Sequence, residues 1–347
     1  MIGPIEMRRP TLNDVAKADG VGVATVDRVL NKRAPVNRET AKLVYSAAES
    51  LGYHAAGLIL KRIEETVETR TLGFMIQRRT EHFYGGLGAE LTNATRASKL
   101  ISGRALVDYL EDISPQVVAE RMIAMSKRVD ALAVVTADHP LVSEAVAQVS
   151  ATGRPVILLL HDITAPQRAG FVGIDHRKAG RTAAWGISRL AAKPGKVGIF
   201  VGSHRYLGQE AAEMSFRSYF RELAPRFQLL EPISTFEKSQ FAYEGMKDLH
   251  KRHPDLAGVY VAGGGMEGVI EALRESGRGP DVVTVCNEMI PETRSALIDG
   301  TLDLVISTPV PLLAERTVEV MIKAMPRKDD SQTRVVLPFE LYNSENI

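Results

Sequence analysis

The amino-acid sequence predicts a small all-α helix-turn-helix head followed by an α/β body of two doubly wound parallel-sheet subdomains. Three observations predict it. Helical apolar stripes with their caps crowd residues 11 to 62. From Thr71 short β-rich runs alternate with amphipathic helical stretches, the pattern of parallel sheets covered on both faces. A chain of 347 residues suits two or three compact units rather than one.

In the head, Thr11 can cap a first helix and Asp14 can return the bond as a capping-box acid, with Leu12, Val15 and Ala16 as its apolar stripe. The turn is Gly20-Val21-Gly22. A second helix from about Val23 to Asn31 faces Val26, Val29 and Leu30 inward and leaves Ala24, Thr25, Asp27 and Arg28 outward. Such a helix fits the roughly 12 Å major groove of double-stranded DNA while its partner crosses the backbone. Val23 and Ala24 would then meet a thymine methyl, Arg28 would bond guanine in bidentate fashion, and Thr25 with the helix amides would hold phosphate. Thr11 and Asn31 are counted with them as DNA-facing. After a loop Lys32-Arg33-Ala34-Pro35, Asn37 caps a third helix, Arg38 to Leu51, with Ala41, Val44, Ala48 and Leu51 inward and Gly52 as its stop. Arg8, Arg9 and Pro10 form an N-terminal arm that either touches phosphate or frays in solvent.

The head motifs carry a resemblance: Thr-Leu-x-Asp-Val-Ala, Gly-Val-x-Val-Ala-Thr-Val, Arg-Val-Leu-Asn and Leu-Gly-Tyr at 51 to 53 resemble the DNA-binding head of the lactose-repressor family. The resemblance implies that Val23, Ala24 and Arg28 read bases. Gly22 and Asp27 stand where that family usually has Ser, so a cap and phosphate ligand is lost and a carboxylate lies near the DNA backbone. Family members follow with a hinge helix whose leucine wedges into the minor groove. Here Tyr53 to Arg62 lacks the family's Pro-Asn, and ungapped alignment puts Arg62 at the wedge. Leu58 or Leu60 would serve in a shifted register; the alternative is a linker helix packing Leu58 and Ile59 on a dimer mate.

Net charge is +1 overall, but residues 1 to 62 hold ten Lys or Arg against six acids, +4, which leaves −3 for the rest. A basic head on a mildly acidic body suits polyanion binding at one end. The single cysteine, Cys286, excludes an internal disulfide framework, reads as a small buried apolar residue and fits a reducing cytoplasm. No run reaches the ~18 apolar residues of a membrane span, and the first ten residues lack the apolar stretch of an export signal.

The body's expected strands are 72–76, 104–109, 131–136, 156–160, 171–174, 196–201, 257–262 and 282–286. Helices are expected near 84–98, 114–127, 140–152, 177–192, 209–223, 237–253, 266–276, 290–299 and 311–325. The stretches FVGIDHRKAGRTAAWGI (171–187), GGGMEGVIEALRESG (263–277) and ETRSALIDGTLDLVISTP (292–309) resemble the body of the same family, a periplasmic-binding-protein-like fold. That resemblance implies domains at 9–53 (head), 54–70 (hinge) and 71–347 (effector-binding and dimerisation). It also implies crossings between subdomains near 170, 303 and 330, giving an N-subdomain of 71–170 with 303–329 and a C-subdomain of 171–302 with 330–347.

Ligands of doubly wound sheets lie beyond the carboxyl ends of strands. Sugars and polyols need carboxylates, amides and Arg for their hydroxyls and an aromatic face to stack on. Glu81, His82, Phe83, Tyr84, Asp138, His139, His161, Asp162, Asp175, His176, Ser203, His204, Arg205, Asn287, Glu288 and Thr308 all follow strands. By resemblance, Phe83 or Tyr84 stacks on the effector, and Asp138, Asp175, Glu288 and Thr308 occupy or neighbour bonding positions, with Asn287 beside them. The family's cleft arginine aligns with Glu210 or Ala212, and Arg205 is its expected substitute; Ala262 and Gly263 stand where relatives carry Asn or Asp. Asp175→Ala is expected to abolish the effector response.

Other chemistries find little support. Gly263-Gly264-Gly265 lacks the Gly-Lys-Ser/Thr ending of a phosphate loop. No zinc spacing joins the eight histidines, which read as scattered surface residues, and no Gly-x-Ser-x-Gly elbow is present. No metal, cofactor or catalytic residue is expected. The expectation is a cytoplasmic, homodimeric repressor of the lactose-repressor type, binding operator DNA under control of a sugar, polyol or sugar acid. With no heptad helix after the strand-like RVVLPFELY, a dimer is the expected ceiling. The alternative is a solute-binding receptor or cleft enzyme of the same body fold.

Overall fold

The computed structural model describes residues 9–31, 36, 38–65, 68–79, 82–277, 279–325 and 331–347. Arg8, the loop 32–35, Asn37 and Glu81, named above, lie outside them. The chain divides into two units, 1–69 with 99–102, and 70–98 with 103–347.

The head begins with α1 (Leu12–Asp19). Its cap forms as the sequence predicts: the Asp14 carboxylate accepts from the Thr11 N–H and from Thr11 Oγ1, each at 2.7 Å. Gly20 stops it at φ +68°, a left-handed conformation that resists any Cβ. Then follow α2 (Val23–Asn31), α3 (Arg38–Ser50) and α4 (Ala56–Glu65). Val15, Val26, Leu30, Val44 and Ala48 close one small core. Leu51, expected inside, is 37% exposed. The helix ends at Ser50 and the chain turns at Gly52, so Ala47 and Tyr53 take the inward places.

The expected hinge at 54–70 is a larger correction. Ile59 on α4 is wholly buried in the head's core, and α4 packs on α2 and α3. This segment is a fourth helix of the head rather than a free linker. Ile59 packs within its own chain, not on a mate, and its neighbours Leu58 and Leu60 remain exposed.

In chain order the body opens with β1 (Thr69–Gln77), α5 (His82–Ala97), β2 (Ser102–Leu110), α6 (Pro115–Ser126), β3 (Ala131–Val134), α7 (Pro140–Ala151), β4 (Val156–Leu159) and β5 (Gly170–Ile174). It continues through α8 (His176–Leu190), β6 (Lys196–Val201), α9 (Leu207–Leu223), β7 (Gln228–Leu229), β8 (Ile233–Ser234), α10 (Ser239–Arg252) and β9 (Leu256–Val261). Last come α11 (Met266–Ser276), β10 (Val283–Asn287), α12 (Pro291–Ile298), β11 (Leu304–Ser307), α13 (Val310–Ala324), β12 (Thr333–Leu337) and β13 (Glu340–Tyr342).

Two sheets result, ordered β12-β5-β4-β3-β1-β2 and β13-β11-β10-β9-β6-β7, with β8 also paired to β6. Strands β3, β4, β5, β9, β10 and β11 are buried along their whole length, the continuous apolar pattern of a parallel sheet covered on both faces. In each sheet the order reverses beside its first strand, between β1 and β3 and between β6 and β9. A crevice opens at such a reversal.

Sheet membership moves all three expected crossings downstream. β5 pairs with β4 in the first sheet, so the chain crosses at Asp175 rather than near 170. β11 pairs with β10 in the second, so the next crossing is at 308–309 rather than 303. The run RVVLPFELY, expected as one strand, is two: β12 joins β5 of the first sheet and β13 joins β11 of the second. Pro338 stands between them, where a missing N–H and a fixed φ break the ladder.

Candidate functional sites

The head presents an outward face on α2. Val23, Ala24 and Arg28 are exposed and Thr25 is half-buried, while Val26, Val29 and Leu30 hold the other side in the core. Asn31 does not project freely: its Nδ2 donates to Asp27 Oδ1 at 2.6 Å, one turn back. Asp27 therefore engages its own helix. Thr11 Oγ1 is likewise turned onto Asp14. Of the three hinge candidates, Arg62 is half-buried, with Nη1 buried and without a hydrogen-bond partner among the described residues. Leu58 and Leu60 lie about 200° apart around a helix of 3.6 residues per turn, so one insertion cannot use both.

The body holds a cavity between its lobes, about 770 Å³ of empty volume with the open solvent at its mouth included. Its walls come from the carboxyl ends of strands in both sheets. Phe83 and Tyr84 open α5, Leu160 and His161 follow β4, His176 starts α8, and Gln209 starts α9. Gly263 to Gly265 follow β9, Asn287 and Glu288 end β10, and Thr308 ends β11.

The lobes meet through polar bonds around this cavity. Gln77 Nε2 donates to Tyr206 Oη at 2.7 Å in a buried contact, and Arg78 Nη1 donates to the Glu237 carbonyl at 3.2 Å. His82 Nδ1 lies 3.1 Å from Glu292 Oε2, and the Asp138 N–H donates to the Arg205 carbonyl at 2.8 Å.

Two carboxylates are built into the wall. Glu237 is buried and accepts from Gln209 Nε2 at 2.8 Å and from the Gly264 N–H at 2.9 Å; burial raises its pKa against those bonds. Gln209 is oriented from behind, its Oε1 accepting the Gly202 N–H at 2.7 Å. A Cβ on Gly202 or Gly264 would strike Glu237, so both positions need glycine's bareness. Glu288 accepts from the Thr308 N–H at 2.9 Å and Thr308 Oγ1 at 2.8 Å, and burial pushes it up to about 7. Glu288 has φ +67°, Glu237 φ +56° and Leu160 φ +62°. Three cavity residues thus hold a backbone conformation that L side chains rarely adopt, and strain of this kind gathers at functional sites.

The histidines correct the surface reading. His161 stacks on His176 with ring centroids 5.1 Å apart, and His176 Nε2 lies 2.7 Å from the Leu160 carbonyl oxygen. Burial lowers both pKa values, His161 well below the usual range, so both rings are neutral at pH 7. Gly208 makes room for the pair: a Cβ there would come within 2.4 Å of His161 and 2.6 Å of His176.

Of the eight effector candidates, Phe83, Tyr84, Asn287, Glu288 and Thr308 line the cavity and Asp138, Asp175 and Arg205 do not. Asp175 instead caps α8, its Oδ1 accepting the Lys178 N–H at 3.1 Å. Asp138 Oδ1 accepts from Thr164 N and Oγ1, and Arg205 is exposed, reaching only the Asp138 carbonyl. Arg205 is no substitute for the cleft arginine; Gln209 occupies that wall. Arg217, next in α9, is spent on Glu213 and the Leu230 carbonyl. Sequence reasoning also missed Glu237, which sits in a helix prediction that began two residues early.

Comparison with known proteins agrees with this architecture. Residues 11–55 match the bacterial regulatory proteins of the lacI family, and residues 114–328 match the periplasmic binding protein domain. The chain is similar to the HTH-type transcriptional regulator CelR of Thermobifida fusca, 25% identical over 98% of each chain. It is also similar to the HTH-type transcriptional regulator RegA of Clostridium saccharobutylicum, 39% identical over 21% of this chain and 22% of that one. Among solved structures, a solute binding protein of an ABC transporter from Agrobacterium vitis, bound with α-D-tagatopyranose, superposes with TM-score 0.72 at 18% identity, over 80% of this chain and 95% of that one. A carbohydrate transporter solute binding protein from Agrobacterium radiobacter, in complex with D-arabinose, gives TM-score 0.69 at 16% identity, over 80% and 95%. With a head that matches the lacI family at 11–55 and a two-lobed body that belongs to the periplasmic binding protein domain family, this chain is a DNA-binding transcriptional regulator.

Proposed function

We propose that the chain is an effector-controlled repressor, acting in the cytoplasm as a homodimer on near-palindromic operator DNA, with no catalytic role and no membrane partner. Two-fold operators match two-fold dimers, each head reading one half-site. Val23, Ala24 and Arg28 contact base edges. Thr25 holds phosphate, Thr11 and Asn31 flank it, and Leu58 or Leu60 takes the minor-groove wedge in preference to half-buried Arg62. No helix among the described residues is long and apolar enough to cross a membrane.

The observation that carries effector control is the cavity itself, whose wall is shared by α5 of one lobe and the α9, α11 and β10 ends of the other. A ligand bonded to both lobes favours the closed arrangement over an open one by its differential affinity, commonly ~1–3 kcal/mol in such couplings. The ligand is a small carbohydrate-like molecule, with Phe83 or Tyr84 against its apolar face and Glu288, Asn287 and Gln209 bonding its polar groups. The sugar-bound neighbours favour that class.

The test is selection of duplexes from a random pool by the full chain, followed by anisotropy titration against random competitor with and without a carbohydrate panel. A preference of roughly 10³-fold or more, changed by one panel member, is expected. No preference for any duplex under either condition overturns the proposal.

A further inference from the structure

The lining of the cavity is more acidic than basic. Glu237, Glu267 and Glu288 line it, and among the described residues no Lys or Arg does. Arg78 bonds the backbone carbonyls of Glu237 and Glu111 and favours the Glu237 carboxylate through space, but it does not line the cavity. The two histidines on the wall are held neutral by burial, so they do not balance the charge. His82, at the rim, is given over to Glu292.

Carboxylates taken out of water without a cation are unfavourable, and pairing relieves them. The protein supplies such pairing elsewhere: Asp162 is bonded by both Arg168 and Arg334, and Glu213 by Arg217. In the cavity the hydrogen-bond donors to the three acids among the described residues are neutral: Gln209, the Ser239 and Thr308 hydroxyls, and the backbone N–H groups of Gly264 and Thr308. Unused bonding capacity remains beside them. His161, nine-tenths buried on the same wall, leaves Nδ1 without a partner among the described residues. Phe83, partly buried, adds an aromatic ring that attracts cations.

We infer that the effector is a polyhydroxylated molecule bearing a protonated amine, an amino sugar or amino polyol, whose nitrogen is held by the Glu237 and Glu288 carboxylates. This rests on the reading of the cavity as a carbohydrate-like effector site. A sugar acid or sugar phosphate would bring a further negative charge to three carboxylates and is excluded. A neutral sugar would leave the carboxylates unpaired and binds more weakly.

The experiment is calorimetric titration of the full chain with matched sets: 2-amino-2-deoxyhexoses and 1-amino-1-deoxyalditols, their neutral hydroxyl parents, and the corresponding aldonic acids and hexose 6-phosphates. At least one amine should bind ten-fold or more tightly than its neutral parent, with the acids and phosphates not binding. Glu288→Gln and Glu237→Gln, which keep shape and remove charge, should each reduce amine affinity roughly 10- to 100-fold, the loss of one bond to a charged group. They should change affinity for the neutral parent far less, a selectivity that a merely structural defect would not produce. If a neutral parent or an acid binds as tightly as the amine, the amine assignment falls while the carbohydrate site stands. If the two variants leave amine preference intact, the carboxylates are not its holders and the assignment also falls. If no member of any set binds, both readings fall together.

Discussion

The head and the body put their working residues in opposite places. In the head, the proposed base readers are turned outward: Val23, Ala24 and Arg28 stand in solvent on one short helix, within six residues of one another. In the body the candidate residues are turned inward, where Phe83, His161, Gln209, Glu237 and Glu288 come from five separate segments and meet in one cavity. An outward face can be varied one side chain at a time with little effect on the fold. An inward site cannot, because its groups hold one another: Gln209 orients Glu237, Thr308 orients Glu288, and Gly208 admits the histidine pair. Altering specificity should therefore need single changes in the head and coordinated ones in the body.

Substitutions can break or sharpen that contrast. The largest effect is expected at Ile59, a hinge-segment side chain that is wholly buried like a body residue. Ile59→Ala should destabilise the head by about 2–5 kcal/mol through the cavity it leaves, seen as a separate low-temperature transition in calorimetry of the full chain. A single unchanged melt would show that α4 is not part of that core. Next is Arg28→Ala, which should relax preference at one base pair per half-site by about 1–3 kcal/mol and leave the melting temperature unmoved. Unaltered selectivity across an operator library would remove Arg28 from the base readers.

A pH effect should come from Glu288. Its folded pKa, about 7, lies above the ordinary 4.5, so the native state holds the proton more tightly than the unfolded chain does. The stability from that protonated, buried group is full below about 4.5 and lost as pH rises through 7. Glu288→Gln cannot ionise, so its unfolding free energy should gain on the parent's between pH 5 and pH 8, by on the order of 1 kcal/mol after solvent screening. A constant difference across that range would mean Glu288 titrates normally. Smallest is Asp175→Ala, which loses the α8 cap and about 1 kcal/mol but keeps effector affinity, the reverse of its sequence-based role. Loss of effector binding without loss of stability would return Asp175 to the cavity.

Why the two regions differed in legibility follows from the same contrast. The α2 face is local: helical periodicity alone separates Val26, Val29 and Leu30 from their outward neighbours, and the structure buries those three. The long amphipathic helices and most buried strands of the body were legible for the same reason, and of the five cavity residues among the eight effector candidates, Phe83, Tyr84, Asn287 and Glu288 follow expected strands while Thr308 follows β11, which was not expected. What periodicity cannot give is which of several polar residues after a strand turns inward. Asp138 and Asp175 were chosen as cavity ligands, yet local bonds to Thr164 and Lys178 hold them elsewhere. Gln209 and Glu237 are brought together by a pairing 28 residues apart. His161 and His176 stood among the residues that follow strands, but their stacking on each other was not legible, because it needs glycine at 208, a third segment. The break at Pro338 was visible as a residue but not as a change of sheet, since β12 and β13 are too short to declare their partners.

Because β12 closes an edge of one sheet and β13 an edge of the other, residues 333–342 are the last strands of both lobes to leave the ribosome. The first lobe cannot finish its edge until translation has passed Leu337, nor the second until it has passed Tyr342. The growing chain thus already carries its complete DNA-reading head while the sensor behind it still lacks two strands.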